Sequence, residues 1–472
     1  MVGVEHSDNP LVVDISAYIL TEYVPAKPLE SNLEVVFSTT DQALSEKCGQ
    51  LNCGDNLKFP FARAGYAPTA VYIQDAKELV VADAATETKR VVELSLNISS
   101  LGEFDYEPGD TVAILPSNDP HVVAQLLHRL DIVQQADSYC LVRLALNCAK
   151  KSAKVPAHLP TTSAKTPREI LTDCLSLHSV LQKQFLSALA RCTSDSKERA
   201  FLASLSSKQG TNHYQTLILE RGLCMLDLLE LCASCQPTLA LLVEHLPRLL
   251  PRPYSISNSP LECSKQMLRI IYSIRTHKAG VTTAMLEAKI KQHEEQLQQP
   301  VKLFLYPRIQ NAFRYTDQEL TGNQILIAVG TGLAPFLGFL AHKQRQQLAT
   351  GETWLYVGAK TPQAMLKQQQ LLDWQASSIL QRLRLCYSRS STPEEPKYVQ
   401  QLLEEDAEQL VELLLQPSTI LYVCADGAKI SKSIEEGLRR CLQLALHLDE
   451  MEAVQRLKEL RTQGKYREDL WL

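Results

Sequence analysis

Arg252-Pro253-Tyr254-Ser255 places a guanidinium, a flat phenol and a hydroxyl side by side, in a stretch that Pro247, Pro251 and Pro253 keep out of a helix. A phenol ring can cover one face of a planar heterocycle, a hydroxyl can reach its reactive nitrogen, and a guanidinium can neutralise a pyrophosphate. An isoalloxazine dinucleotide needs all three. The same residues also suit a proline-rich strand with a surface arginine, so the tetrapeptide alone does not decide.

Further segments carry compatible chemistry. Gly280-Val281-Thr282-Thr283 opens a helical stretch from Ala284 to Gln292, where free N–H groups and hydroxyls form a seat for an anion or an ordinary N-terminal cap. Ile327-Ala328-Val329-Gly330-Thr331-Gly332-Leu333-Ala334-Pro335-Phe336 reads as a buried strand, a glycine turn and a helix with proline in its first turn. That arrangement aims a helix N-terminus at a phosphate. Ser388-Arg389 and Lys397-Tyr398-Val399-Gln400 offer the groups that clamp a ribose 2′-phosphate, the mark of NADPH over NADH. Glu394-Glu395 between them speaks against a general anion patch, and without the Gly330 turn scattered surface charge would be the better reading.

Cys424 ends the strand Ile420-Leu421-Tyr422-Val423, and Asp469-Leu470-Trp471-Leu472 lies at the C-terminus. A thiol and a carboxylate beside a flavin can orient a nicotinamide, and an indole can cover the flavin's second face. A C-terminal tryptophan also serves as a packing anchor.

These residues need elements to position them. Residues 1–64 are weakly periodic, with Gly54-Asp55-Asn56 as turn formers, and read as an extension or linker. Val71-Tyr72-Ile73, Arg90 to Leu96 and Thr111 to Leu115 read as strands, with a turn at Tyr106-Glu107-Pro108-Gly109-Asp110, as in an antiparallel barrel. Between 118 and 245 leucine spacing predicts helices over Val122 to Leu130, Ile170 to Cys192 and Leu217 to Cys232, and Pro237 suits the first turn of a short helix to His245. After about 321, strands at Ile325 to Val329, Trp354 to Val357, Leu383 to Tyr387 and Thr419 to Cys424 alternate with helices, the rhythm of a doubly wound parallel sheet. The expected class is α+β and α/β multidomain. An antiparallel barrel (65–117 and 246–320) with a helical insertion (118–245) is expected to precede a doubly wound parallel-sheet domain at 321–472.

The 472 residues suit two or three domains. Forty-eight basic residues against 53 acidic ones, net charge -5, advertise no nucleic-acid or anionic-membrane surface. The start Met-Val-Gly-Val-Glu-His-Ser-Asp lacks the character of a secretory signal, and no apolar run is long enough to cross a membrane. With 13 cysteines, the expectation is a cytoplasmic protein with reduced thiols. Cys232 and Cys235 have the spacing of half a zinc site, but no second pair accompanies them and ordinary packing is the better reading. Cys48 and Cys53 form the other close pair, and no metal is expected.

Taken in this order, the segments resemble the ferredoxin-NADP reductase-like half of the diflavin reductase family, from about residue 65 to the C-terminus. Ser194-Asp195-Ser196, Ser207-Lys208-Gln209-Gly210, Ser234-Cys235-Gln236-Pro237 and Glu244-His245-Leu246-Pro247 look like the methionine synthase reductase branch. The resemblance implies FAD contacts at Arg252, Pro253, Tyr254, Ser255, Gly280, Val281, Thr282, Thr283 and Trp471. It implies NADPH contacts at Gly330, Thr331, Gly332, Ser388, Arg389, Lys397, Tyr398 and Gln400, with Ser255, Cys424, Asp469 and Trp471 as the catalytic set. The family pattern is altered at Ala328-Val329, Ala359-Lys360, Ala425 with Gly427, and Ser433. The first 64 residues are too short for the family's flavodoxin-like FMN domain, so the resemblance implies a separate acceptor, a flavodoxin-like protein or a methionine synthase system. The competing reading is a weakened paralogue kept as a flavin-binding scaffold.

Overall fold

Leucine-rich periodicity builds the helices Pro120–Arg129, Lys183–Arg191, Ser196–Ser206, Met225–Leu231 and Leu239–His245. Their apolar faces close on one core that includes Leu126, Phe185, Leu186, Phe201, Leu228 and Leu242. The structure is a computed structural model and describes residues 13–24, 32–37, 59–146, 148, 154–156, 159, 165–262, 265–275, 280–296, 299–310, 312–315, 319, 321–346, 351–390, 392 and 395–471. For Asp426, Ala428 and Trp471 the description covers the backbone alone, and the Cys48/Cys53 pair, Gly54-Asp55-Asn56 and Glu394 lie outside it.

Two compact units result, Met1–Phe59 with Pro116–Leu250, and Pro60–Leu115 with Pro251–Leu472. The first holds those helices. Leu33–Phe37, from the stretch read as a linker, pairs antiparallel with Cys140–Leu144. The Ile170 to Cys192 helix is not continuous: a π-turn at Ile170–Cys174 ends it, and helix resumes at Lys183–Arg191. The buried Asn118 explains the break, because its amide donates to the carbonyls of Leu171 (2.7 Å) and Leu175 (2.8 Å), groups that a continuing helix would have used itself. The expected helix from Leu217 to Cys232 likewise divides at Gly222 (φ 70°) into a π-turn, Gln215–Glu220, and Met225–Leu231. Pro237 lies before its helix rather than in the first turn, since Thr238 is the cap and accepts from Leu241 N at 3.3 Å. Cys232 and Cys235 are buried in the helical core. No His, Cys, Asp and Glu cluster suited to a metal occurs among the described residues.

The second unit begins with β1 (Thr69–Val80), β2 (Arg90–Asn97) and β3 (Thr111–Ile114). After the helical unit come β4 (Arg252–Ser255), β5 (Met267–Ile274), α1 (Val281–Glu295) and β6 (Lys302–Pro307). These six strands form an antiparallel sheet in the order β4-β3-β6-β1-β2-β5. Beyond β4, Ile256 bridges to Ile270 of β5 and Ser257 N donates to Arg269 O at 2.9 Å, which rolls the sheet into a barrel.

The chain then alternates β7 (Gln324–Val329), α2 (Ala334–Arg345), β8 (Thr353–Ala359), α3 (Gln368–Ala376) and β9 (Arg382–Tyr387). Next come α4 (Val399–Glu405), α5 (Ala407–Leu415), β10 (Ile420–Asp426), α6 (Gly427–Leu446), α7 (Glu450–Thr462) and β11 (Tyr466–Trp471). The five strands are all parallel, in the order β9-β8-β7-β10-β11. Barrel residues Val80, Val91 and Ile271 share one core with Phe336, Phe339 and Tyr422 of the parallel-sheet layer. The stacked rings of Tyr315 and Phe339, 4.6 Å apart, extend that core. The half that carries the tetrapeptide is thereby packed against the half that carries the glycine turn.

Candidate active site

β4 runs beside β3 with Ser255 opposite Thr111 and Tyr254 opposite Val112. Arg252 and Pro253 are exposed, while Tyr254 and Ser255 are half-buried. Burial pushes the Tyr254 hydroxyl up to about 12, so the ring presents a neutral, largely apolar face. Its ring meets Tyr272 of β5 edge-on at 6.3 Å, and the Tyr272 hydroxyl donates to Glu287 Oε1 of α1 at 3.0 Å. The tetrapeptide is thus tied through β5 to the helix that Gly280 opens.

Ser255 Oγ donates to Asp469 Oδ2 at 2.8 Å. Asp469 lies on β11 in register with Cys424 of β10, so three of the four residues proposed as catalytic converge on the carboxyl ends of the last two strands. Burial raises the Asp469 carboxyl above its ordinary range, opposed by the Ser255 hydrogen bond and by the Arg308 charge. Cys424 is fully buried, and burial, with Asp469 beside it, holds its thiol well above the usual range. A neutral thiol is therefore what this position offers. Trp471 pairs in register with Asp426; its side chain lies outside the described ones.

The glycine turn reaches the same place from β7. Gly330 has φ 57°, a left-handed conformation, and a short 3₁₀ turn, Gly330–Leu333, leads into α2 with Pro335 near its start. At Gly332 a Cβ would lie 2.0 Å from the Cys424 carbonyl oxygen, so only glycine lets the turn press against β10. The chain moves outward from β7 to β9 and then returns to β10 at β7's other side. Gly330, Thr331, Gly332 and Cys424 hence stand at the topological switch point of the sheet, where open α/β sheets bind ligands.

The donor groups fit a dinucleotide. α1 begins at Gly280 without a side-chain cap, which leaves the first-turn N–H groups of Val281, Thr282 and Thr283 without an intrahelical acceptor and available to an anion. The Thr283 hydroxyl is turned back onto Gly280 O at 2.9 Å, and Thr282 is buried.

Of the proposed 2′-phosphate residues, Ser388 and Arg389 fall just beyond the carboxyl end of β9, and Lys397, Tyr398 and Gln400 lie at the start of α4. Ser388 N donates to Ala359 O and Arg389 N to Lys360 O, both at 2.9 Å, which fixes the two loops side by side. Lys397 N and Tyr398 N both donate to Gln401 Oε1, at 2.7 and 3.0 Å, shaping the start of α4, and the Tyr398 ring is exposed. Gln400 differs from the others. A Cβ on Gly437 of α6 would lie 2.6 Å from Gln400 Cβ, so the root of that side chain is packed between α4 and α6.

The positions that depart from the family pattern have distinct local roles. Ala328 and Ala425 are fully buried in the cores on opposite faces of the sheet, and Gly427 takes φ 72° at the start of α6. Ser433 donates to Lys429 O at 3.1 Å within its own helix. Lys360 donates to Glu87 O at 2.6 Å. Neither Glu87 nor Arg308 was legible as a site residue, because each comes from a barrel loop or strand end without a motif. No described helix is long and apolar enough to cross a membrane, and no disulfide joins the described cysteines.

Residues 65–284 match the family described as FAD binding domain, and residues 326–429 match the oxidoreductase NAD-binding domain. The chain is 32% identical to methionine synthase reductase of Rattus norvegicus over 433 residues, 85% of this chain and 60% of the relative. Against methionine synthase reductase of Homo sapiens the figures are 31% over 430 residues, 85% and 60%. Against NADPH–cytochrome P450 reductase of Drosophila melanogaster they are 30% over 392 residues, 80% and 55%. The chain thus spans about 60% of the length of the methionine synthase reductases it matches. The chain thus carries an FAD-binding domain and an oxidoreductase NAD-binding domain, on the barrel and the parallel sheet respectively, and is similar over most of its own length to methionine synthase reductase and NADPH–cytochrome P450 reductase.

Proposed function

We propose that this chain transfers hydride from NADPH to FAD and hands the electrons, one at a time, to a separate acceptor, either a flavodoxin-like FMN protein or a methionine synthase system. The observation that carries the reading is the 2.8 Å bond from Ser255 to Asp469, beside Cys424 and the Gly332 turn. When bound, FAD supplies a two-electron acceptor that can also donate single electrons.

Ser255 orients its hydroxyl toward the reacting centre, and Asp469 holds that hydroxyl in place. As a carboxylate, Asp469 favours the positive charge that develops on a nicotinamide losing hydride. Cys424 packs there as a neutral thiol. Tyr254 would cover one face of the flavin ring with Trp471 as the candidate for the other, Pro253 would keep the segment extended beside it, and Arg252 and the Gly280–Thr283 turn would seat the pyrophosphate. Gly330, Thr331, Gly332, Ser388, Arg389, Lys397, Tyr398 and Gln400 hold NADPH. In this reading 65–320 is the FAD domain with its helical insertion at 118–245, 321–472 is the NADP(H) domain, and the setting is cytoplasmic.

Anaerobic stopped-flow mixing of the FAD-loaded chain with NADPH tests the proposal. Bleaching of the visible flavin band is expected, and a flavin-loaded protein whose spectrum does not change would falsify it.

A further inference from the structure

Between β1 and β2 the barrel extends a tight hairpin over Asp83–Thr88, closed by Asp83 N to Thr88 O at 3.0 Å and Thr88 N to Asp83 O at 2.8 Å. The Asp83 carboxylate braces it further through Ala85 N (3.0 Å) and the Thr86 hydroxyl (2.7 Å). Glu87 sits in this hairpin with φ 49°, a left-handed conformation that a non-glycine residue adopts at a cost. The bend delivers two acceptors to the parallel-sheet layer. Glu87 O accepts from Lys360 Nζ at 2.6 Å. Glu87 Oε2 lies 2.6 Å from an Arg389 guanidinium nitrogen and 3.8 Å from Lys360 Nζ.

Lys360 and Arg389 open the adjoining loops after β8 and β9, held together by Arg389 N to Lys360 O. Under the proposed function, on which this step rests, Arg389 faces the ribose 2′-phosphate, and the loop contact sets Lys360 beside it. We infer that Glu87 is an exchangeable counter-ion of that subsite: its carboxylate occupies the cations in the free protein, and the 2′-phosphate of NADPH displaces it. A nucleotide without that phosphate leaves Glu87 in place. Glu87 therefore sets how strongly the protein favours the 2′-phosphorylated cofactor and how readily the product leaves.

The magnitudes are consistent with exchange. The Glu87 side chain is 70% exposed and that of Arg389 37%, so the pair is weak and opens at little cost. A phosphate dianion offers more charge and more acceptors to the same guanidinium than one carboxylate oxygen does. The hairpin remains held by its own hydrogen bonds after the Glu87 side chain has left.

The test is calorimetric titration of the FAD-loaded full chain with 2′,5′-ADP and with 5′-AMP, for wild type and Glu87→Gln. The variant should bind 2′,5′-ADP about two- to five-fold more tightly than wild type, with 5′-AMP unchanged. Unaltered or weaker 2′,5′-ADP binding, in a wild type that prefers 2′,5′-ADP to 5′-AMP, overturns the role of Glu87 and leaves the phosphate site standing. If neither protein distinguishes the two ligands, Lys360 and Arg389 are not a phosphate site, and the inference falls with that reading. A purely structural Glu87 would lower the melting temperature on substitution without tightening 2′,5′-ADP binding, which also overturns it.

Discussion

The hydroxyl of Ser255, on the barrel's edge strand β4, donates to the carboxylate of Asp469, on the outermost strand β11 of the parallel sheet, at 2.8 Å. One bond thereby joins the end of the tetrapeptide to the C-terminal strand, 214 residues later. Each group restrains the other where the proposed flavin and nicotinamide meet.

Removing that bond should slow chemistry more than binding. Ser255→Ala is expected to reduce the rate of flavin bleaching by NADPH on the order of 10²-fold, the range in which positioned polar groups act. The dissociation constant for NADPH should change little. Stopped-flow rates across a range of NADPH concentrations separate the two, and a purely packing role would leave the limiting rate near that of wild type.

Asp469 should trade stability for activity. Its carboxyl is raised above 3.8 in the folded protein because it is buried, so the folded state holds the proton more tightly than the unfolded chain. That contribution is fully present below 3.8 and is lost as pH rises through the raised value. Asp469→Asn should therefore melt above wild type at neutral pH, with the gap closing toward pH 3. Melting curves at both pH values, run beside flavin-reduction rates that fall in the variant, would show the trade.

At the other end of the sheet, burial brings Lys343 down to about 8. Its ammonium donates to Thr353 Oγ1 at 2.7 Å and Gly351 O at 3.0 Å. Between about 8 and the ordinary 10.5 the unfolded chain binds more protons than the folded one, so this residue's contribution to stability rises with pH. Lys343→Met should remove that rise, and urea unfolding at pH 7.5 and pH 10 would detect it. An identical pH response in both proteins would count against the assignment.

The glycine turn gives an internally controlled pair. Gly332→Ala forces a Cβ to 2.0 Å from the Cys424 carbonyl and should cost about 3 kcal/mol or more, because neither backbone can retreat easily. Gly330→Ala meets open space and carries only the left-handed φ penalty, about 1–2 kcal/mol. Denaturant unfolding of the two variants should rank them in that order.

Features with a local cause were legible in the sequence. The strand, glycine turn and helix around Gly330 depend on residues within ten positions of one another, and the turn ending at Asp110 depends on five. The long helix expected from Ile170 to Cys192 failed because its competitor was remote: Asn118, more than 50 residues earlier, takes the carbonyls of Leu171 and Leu175. Periodicity reports which faces are apolar and is blind to such a side chain. The strand at Leu33–Phe37 was hidden in the same way, since its partner Cys140–Leu144 lies about 100 residues on.

By itself, then, the sequence determined the chemistry on offer: a phenol, hydroxyl and guanidinium in one extended segment, glycines at a strand-to-helix turn, and a thiol and a carboxylate near the end. It also determined the two architectures that carry them, because hydrophobic period and turn residues act over short range. Only the tertiary structure decided which groups touch. It joined Ser255 to Asp469 and Asp469 to Cys424's strand, turned Gln400 toward Gly437, and set Glu87 against Lys360 and Arg389. The reason is physical: a side chain's partner is chosen by the packing of strands and helices that lie far apart in sequence, and that packing is a property of the whole core.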